Sequence, residues 1–334
     1  MYIPLGTVTL RTGESVEVGL VRGPDREWSS RLTGLLGHKG DPWNWQNAQV
    51  LERDLGIDVH FYILHRDGLP FSNIMTIDLE GVGLFGHVWT NPDDRQKGAS
   101  SLLMALQMDH FRARCGRALF LGTGNMVAYN IYQRQGFEGV EAQSGYMAYY
   151  RSGVEHFEKE YFGPGEVVVE PLDWKHWPAS VALFLGKFPG VVRCAPAQLI
   201  GRVSTEESIL DFLYRGETME QEAVSPQALA LVNRETTALV GLSMWKWHPV
   251  WPDVCLVDVY CHPAYWQHAP ELLDGLQLPS AYRTIAYTDD DCPEKARVLE
   301  NAGYRSCAVM PDWLPIDTAR SGAVEVTAFE HISA

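Results

Sequence analysis

The residues with the most evident chemical potential lie in two short segments that open and close the stretch 90–137. The first segment, T-N-P-D-D-R-Q-K-G-A-S-S-L-L, joins the end of an apolar strand to the start of a helix. A turn at a helix start leaves backbone N–H groups without partners, and the helix dipole is positive there. Arg95 and Lys97 add charge, and Gly98 lets the backbone approach a ligand closely. This turn therefore predicts a phosphate-binding site.

The second segment, G-N-M-V-A-Y-N-I-Y-Q-R-Q-G-F, predicts a short helix that carries a proton donor. Asn125 can cap this helix at its N-terminus, and Gly136 can end it. Tyr132 follows Asn125 by seven residues, about two helical turns, so the two side chains lie on nearly the same face. The apolar run 118–121 between the two segments predicts a buried strand.

Taken together, the two segments resemble the motifs of the GNAT superfamily of acyl-CoA N-acyltransferases. The R/Q-x-x-G-x-G/A motif is matched by Arg95 and Gly98, with Ser100 in place of the usual small residue. That serine hydroxyl could cap the helix or bind phosphate. The N-x-x-A-x-x-x-Y-x-x-x-G-F motif is matched by Asn125, Ala128, Tyr132, Gly136 and Phe137.

The resemblance implies an acyl-donor site for acetyl-CoA and a general acid. In the family, the strand before the turn opens away from its neighbour, and one exposed N–H polarises the thioester carbonyl. Tyr132 matches the tyrosine that protonates the departing sulfur, because a phenol pKa of about 10 lies above a thiol pKa of about 8.5. The positions implied for donor binding are Val88, Thr90, Arg95, Gln96, Lys97, Gly98, Ala99, Ser100, Ser101, Asn125 and Ala128.

The sequence does not identify the general base that would deprotonate the acceptor. Regular strand alternation places His87 on the face opposite the acyl group. Asp78 and Glu80 are expected to be solvated, and a bound water relay is an alternative. The positions that alternation places on the acyl face, Thr90, Val88, Gly86 and Leu84, carry no group there that can take a proton.

Composition limits the classes of function. The formal charge of −15 argues against nucleic-acid binding. The six cysteines form no C-x-x-C, which is typical of reduced thiols in the cytoplasm. The N-terminus shows no signal peptide, and no apolar run approaches the roughly twenty residues needed to cross a bilayer. Cys261, His262 and His268 lack a second cluster, so no metal site is predicted.

The length and the order of the elements predict two α/β domains, because a chain of 334 residues usually folds as two domains. Residues 1–150 are expected to form a catalytic GNAT-like domain, and the polar stretch 151–165 a linker. Residues 166–334 are expected to form a degenerate GNAT-like domain. Each would have a mixed central sheet flanked by helices. By resemblance, the helix-loop-helix near 27–55 borders the acceptor site, where Trp43 and Trp45 either line a pocket or anchor the core.

Landmarks of the first half recur in the second. Pro263 stands 171 residues after Pro92, and Gly303 stands 167 residues after Gly136, so the second copy is four residues shorter between them. The missing residues fall at the phosphate turn, and Leu299 occupies the position of Tyr132. Elsewhere in this half, Ser204 followed by Glu207 has the spacing of a capping box.

The leading expectation is an acetyl-CoA-dependent N-acetyltransferase for a primary amine of a small molecule, with Tyr132 as general acid in a ternary complex. Two alternatives remain open. One is an acyl-CoA-binding module without catalysis, and the other is an S-acyltransferase or decarboxylase on a GNAT fold, which needs no amine base. The sequence does not indicate the acceptor's identity or the oligomeric state.

Overall fold

The computed structural model describes residues 1–218 and 227–332. The chain divides into two compact units, called here the first and second units. The first comprises Met1–Glu138 with Met147–Phe157, and the second comprises Gly139–Tyr146 with Glu158–Ala334. The stretch 151–165, predicted as a linker, contains a helix, Val154–Tyr161. Its buried Phe157 and Tyr161 are four residues apart on one helical face, an apolar stripe that the polar composition concealed.

The first part of the chain forms one sheet with helices from the connections between its strands. Its elements are β1 (Tyr2–Thr9), β2 (Ser15–Arg22), α1 (Arg26–Leu36), α2 (Trp43–Glu52), β3 (Asp58–Arg66), β4 (Leu69–Leu79), β5 (Val82–Thr90), α3 (Ala99–Ala113), β6 (Ala118–Gly122), α4 (Met126–Gln133), β7 (Glu138–Gly139), β8 (Tyr146–Tyr150) and α5 (Val154–Tyr161). The strand order is β1-β2-β3-β4-β5-β6-β8-β7, antiparallel from β1 to β5, with β5 and β6 parallel.

The core of the first unit packs α3 and α4 on one sheet face. Leu103, Met104 and Met108 of α3 pack with Phe85 of β5 and with Tyr132 of α4 in one buried cluster. Met104, Met108 and Phe111, spaced i, i+4 and i+7, form the buried stripe of this helix. This packing fixes the start of α3 and the tyrosine of α4 against the same strand.

The second part of the chain repeats this plan with added pieces. Its elements are β9 (Val167–Pro171), α6 (His176–Leu185), β10 (Val192–Cys194), β11 (Leu199–Ile200), α7 (Glu206–Thr218), β12 (Gln227–Asn233), β13 (Leu239–Trp247), β14 (Val254–Cys261), α8 (Ala269–Asp274), β15 (Arg283–Asp289), α9 (Pro293–Asn301), β16 (Arg305–Pro315) and β17 (Ala323–Ile332). The larger sheet has the order β16-β17-β15-β14-β13-β12-β9, and β14 and β15 are parallel. The mixed α/β architecture predicted for both halves is confirmed.

Candidate functional site

The central strands of the first sheet separate at the position that the resemblance predicted. Strand β5 pairs with β6 only through Val82, Gly83 and Leu84, which lie opposite residues 118–120. From residue 85 onward, the edge of β5 that faces β6 has no strand partner among the described residues. The opening therefore exposes backbone groups of β5, as the prediction for Val88 and Thr90 requires.

A β-bulge in β5 lies inside this opening, and it corrects the alternation assumed from the sequence. Thr90 pairs with Ser72 of β4 and Gly86 with Met75, so β5 has one extra residue between them, and His87 has a φ of 51°. The extra residue reverses the parity of the side chains. Val88 now packs with the α3 core, whereas His87 contacts Trp43 of α2.

His87 combines burial with an absence of partners. Its imidazole is 5% exposed, and neither ring nitrogen has a hydrogen-bond partner among the described residues. Burial, and then the charges of Lys39 and His38, hold its pKa well below 6.5, so the ring is neutral at physiological pH. The Trp43 ring lies edge-on with its centroid 5.7 Å away. As alternation predicted, His87 points away from Val88, and no local signal indicated that an acceptor would lie on that face.

The carboxylates considered as alternatives are placed differently from the expectation. Asp78 is fully buried rather than solvated, and it accepts hydrogen bonds from the Arg114 guanidinium and the Gly81 N–H. This pairing occupies the carboxylate, which removes it as a base. Glu80 is exposed at the turn that follows β4.

The turn before α3 has the geometry of an anion site. Helix α3 begins at Ala99, and Gly98 precedes it with a φ of 88° in the left-handed region. The N–H groups of residues 96–101 have no acceptor among the described residues. Six consecutive donors at the positive end of a 15-residue helix are an arrangement that can accept an anion.

The cations around this turn are arranged differently from the prediction. Lys97 is paired with Asp94 at 2.9 Å, and Arg95 donates to the Thr90 carbonyl while its guanidinium lies over the Trp89 ring. Arg11, from the hairpin between β1 and β2, lies over Gly98. Its Cγ and Nε are 3.2 and 3.3 Å from the position of a Cβ on that glycine. It forms no ion pair within the described residues, so it is the cation available to phosphate.

Ser100 has a structural partner. Its hydroxyl lies 2.9 Å from the Thr90 hydroxyl, which in turn lies 2.8 Å from the Ser72 hydroxyl. This chain of hydrogen bonds ties the start of α3 to the ends of β5 and β4. In the structure Ser100 therefore positions the helix and does not cap it.

Helix α4 packs Tyr132 against Phe85, the first residue of β5 beyond its pairing with β6. Asn125 caps the helix by accepting from the N–H groups of Val127 and Ala128, as predicted. The Tyr132 ring is 7% exposed and packs edge-on against Phe85 at 5.5 Å, and its hydroxyl has no partner among the described residues. Burial raises the pKa of Tyr132 to about 12. The phenol is therefore a protonated donor without an internal acceptor.

The second unit also has an opening, between β14 and β15, whose pairing ends after residues 254–256. Here the segment 190–195, called the inserted segment, bridges the two strands. The Ala195 N–H donates to Asp258 of β14 at 2.7 Å, and the Val192 N–H donates to Asp289 of β15 at 2.6 Å. Lys295 of α9 donates to the Val192 carbonyl and pairs with Asp258, with both side chains fully buried.

Other features of the second unit differ from the phosphate turn. The chain passes from β14 through a 3-10 helix, Pro263–His268, into α8, which has only six residues. Leu299, at the position that corresponds to Tyr132, is fully buried and carries no proton donor. Within the described residues, no helix has the length and apolarity to cross a bilayer, and no group of three His, Cys, Asp or Glu residues is suited to a metal ion.

Comparisons with known proteins identify matches among solved structures alone. No family model and no curated protein matches the sequence. The yncA protein of Salmonella typhimurium, solved with its cofactor acetyl-CoA, is 14% identical, covers 50% of this chain and 93% of its own, and has a TM-score of 0.38. An N-acetyltransferase from Staphylococcus aureus Mu50 is 10% identical, with coverages of 50% and 99% and a TM-score of 0.38.

A ribosomal-protein-S5-alanine acetyltransferase from Vibrio fischeri is 12% identical, with coverages of 51% and 95% and a TM-score of 0.37. These matches each span about half of this chain. Identities and TM-scores of this size establish no activity. The function must therefore follow from the chemistry of the residues around the β5–β6 opening.

Proposed function

We propose that the first unit is an acetyl-CoA-dependent N-acetyltransferase that acts on a primary amine of a small molecule. One observation carries the proposal. The opening between β5 and β6 has free N–H donors of residues 96–101 at one end and the unpartnered Tyr132 hydroxyl on α4 beside it. An anion cradle, an exposed strand edge and a proton donor are what thioester transfer requires.

The N–H groups of residues 96–101 and the Arg11 guanidinium hold the phosphates of the donor. Backbone N–H groups of β5 beyond Leu84 lie along the donor's arm and polarise the thioester carbonyl. Val88 and Thr90 supply this edge. Asn125 and Ala128 form the start of α4, next to the same opening. The amine attacks the carbonyl carbon directly, and the C–S bond breaks as the amide bond forms.

Tyr132 donates its proton to the departing sulfur. A pKa of about 12 keeps the phenol protonated at any physiological pH. The burial that raises this pKa also raises the proton affinity of a thiolate formed beside it. The proton affinities of the phenolate and the thiolate therefore stay close enough for proton transfer. No other described residue competes for the hydroxyl.

His87 is the base that the sequence did not identify. Its neutral, unpartnered ring lies on the α2 side of β5 beside Trp43, where the acceptor is expected. A weak base suffices because burial also lowers the pKa of an amine that enters this dry site. Trp43 then acts as an acceptor wall. Trp45, on the same helix, is half-buried and keeps both of its proposed roles.

The first test measures release of free CoA from acetyl-CoA across classes of primary amines, with Tyr132→Phe as the variant. The phenylalanine keeps the ring packing on Phe85 and removes the proton. Turnover should fall roughly 10²-fold while acetyl-CoA affinity, measured by calorimetry, stays near wild type. Tyr129→Phe on the same helix is the matched control and should retain activity. An undiminished rate in Tyr132→Phe would assign the proton to another group.

The second test concerns His87→Gln, which keeps a neutral polar side chain at the bulge. Turnover should drop roughly 10²-fold at pH 7, and the deficit should shrink as pH rises, because solution then deprotonates the amine. A purely structural role would lower the rate equally at every pH. His38→Gln, which removes an exposed imidazole nearby, is the control. A pH-independent deficit would exclude His87 as the base.

The second unit is proposed to be catalytically silent, because the inserted segment fills its opening and Leu299 replaces the acid. A module that only binds acyl-CoA would show donor binding without turnover on any amine. It would also be insensitive to Tyr132→Phe.

A further inference from the structure

The second unit contains a cavity of about 630 Å³ that is separate from its filled opening. It lies between α7, the segment 196–204, the end of β13 and Tyr146. Its volume lies in the range of small-molecule sites.

Four residues of β13 line this cavity: Met244, Trp245, Lys246 and Trp247. The Ser243 hydroxyl donates to the Leu272 carbonyl of α8, so the odd positions of the strand face α8. By alternation, Met244 and Lys246 face the opposite side, towards α7. Helix α7 turns Glu207, Asp211 and Phe212 to the same cavity, while its residues Ile209, Leu210 and Leu213 are buried.

Two opposite charges on this cavity are left without partners. Asp211 is satisfied by Arg215, which donates to both of its carboxylate oxygens. Among the described residues, neither Glu207 nor Lys246 forms an ion pair or a side-chain hydrogen bond, although both line the cavity. They are therefore too far apart to neutralise each other directly.

That Glu207 has no side-chain partner among the described residues differs from the sequence prediction. The capping box expected with Ser204 is not formed, because α7 begins at Glu206 and the Ser204 hydroxyl accepts from the Glu206 N–H. This places Glu207 one position too early to reach back. Its carboxylate instead lies close enough to the Tyr146 phenol to help raise the pKa of that group, after burial.

The rest of the lining is mixed, with polar groups from Gln198, Ser204 and Ser208 beside apolar side chains. Leu199, Val203, Phe212 and Met244 line the space between the two charges. A ligand with one charge only would use either Glu207 or Lys246 but not both, and a purely polar ligand would not use the apolar part of the lining.

We propose that this cavity binds a small zwitterion with an apolar body, namely a free apolar amino acid or a dipeptide of apolar residues. Lys246 holds its carboxylate, Glu207 holds its ammonium, and the side chain lies against Phe212 and Met244. The site is independent of the acetyl-transfer proposal.

The test titrates L-phenylalanine, L-leucine and L-leucyl-L-phenylalanine into the full chain by calorimetry. At least one should bind with a Kd below about 1 mM. L-Phenylalanine amide, which lacks the carboxylate, and N-acetyl-L-phenylalanine, which lacks the ammonium, should bind at least tenfold more weakly. These comparisons use the wild-type protein and so do not depend on the folding of a variant.

Variants then locate the site. Glu207→Gln and Lys246→Met should each weaken binding of the zwitterion tenfold or more, while acetyl-CoA affinity is unchanged. Lys246→Met should also lose the preference for phenylalanine over its amide. The controls are Glu206→Gln and Lys187→Met, which make the same substitutions at residues that do not line the cavity. Failure of all three zwitterions to bind, or equal binding by the cavity variants and wild type, would overturn the proposal.

Discussion

The two parallel strand pairs, β5–β6 and β14–β15, begin alike and end differently. In each, three residues pair before the strands separate. In the first unit the opening lies beside free N–H groups and Tyr132, whereas in the second it holds the chain's own residues 190–195. An opening between strands is therefore a property of this fold, and the connection between α6 and α7 decides whether a ligand can use it.

The inserted segment is held by charges rather than by apolar contact alone. Arg193, at 2% exposure, donates to the carbonyls of Phe184, Gly186, Phe188 and Gly190. Asp258, which Lys295 neutralises in an ion pair, accepts the Ala195 N–H and so ties the same segment to β14.

The largest expected effect comes from breaking that pair. Lys295→Met leaves the Asp258 carboxylate buried without a countercharge, which should cost about 3–5 kcal/mol of unfolding free energy. Urea unfolding followed by hydrogen exchange in β14 and β15 measures it. Combining the change with Asp258→Leu should recover most of the loss.

The matched control for Lys295 is on the same helix. Arg297 pairs with Glu294 at the surface and is 66% exposed, so Arg297→Met should cost less than about 1 kcal/mol. If Lys295→Met is no more destabilising than this control, the buried pair does not hold the inserted segment.

An intermediate effect concerns donor binding. Acetyl-CoA should saturate at one equivalent per chain, and Gly98→Asp should weaken it about 100-fold. The substitution adds a negative charge at the phosphate cradle, and its Cβ would displace Arg11. Calorimetry gives both the stoichiometry and the affinity.

Two variants separate the reasons for that loss. Gly153→Asp places the same residue at another left-handed position, with open space around it, and should leave binding unchanged. Arg11→Ala should weaken binding roughly tenfold, the size of one charged hydrogen bond. Binding of acetyl-CoA at two equivalent sites per chain, or normal affinity in Gly98→Asp, would mean that the phosphate cradle does not distinguish the first unit from the second.

The smallest expected effect is a difference between the two units in how much stability each loses as the pH falls. Burial lowers the pKa of His60 to about 3 and holds that of His87 well below 6.5, both in the first unit. Below pH 6.5 the unfolded chain binds protons that the folded unit excludes, so stability falls as pH falls. Each such histidine should cost about 1 kcal/mol between pH 7 and 5.5.

Hydrogen exchange at the two pH values, corrected for intrinsic rates, measures this unit by unit. The second unit has His262, whose pKa is lowered to about 4, so it has one strongly shifted histidine where the first unit has two, His60 and His87. Protection should therefore fall more in β3–β5 than in β13–β14. Equal losses would mean that the first unit's histidines are not held neutral.

Local signals predicted the parts of the site that depend on local geometry. The helix start predicted after the turn is found at Ala99, and the Asn125 cap forms as its residue type indicated. Helix α6 was missed because all ten of its residues are buried, which leaves no periodicity to read. Arg11 and the inserted segment act through contacts between distant parts of the chain, which spacing within one motif cannot show.

The bulge in β5 also bears on which mutations could give the second unit the site of the first. From the first parallel pair to the following proline, the chain at β5 has eleven residues, Val82 to Pro92, whereas at β14 it has ten, Val254 to Pro263, in unbroken register with β13. Exchanging side chains in β14 cannot supply the missing residue. A codon insertion would be required, so the second unit is separated from an active form by a change in length that accumulated point substitutions do not reach.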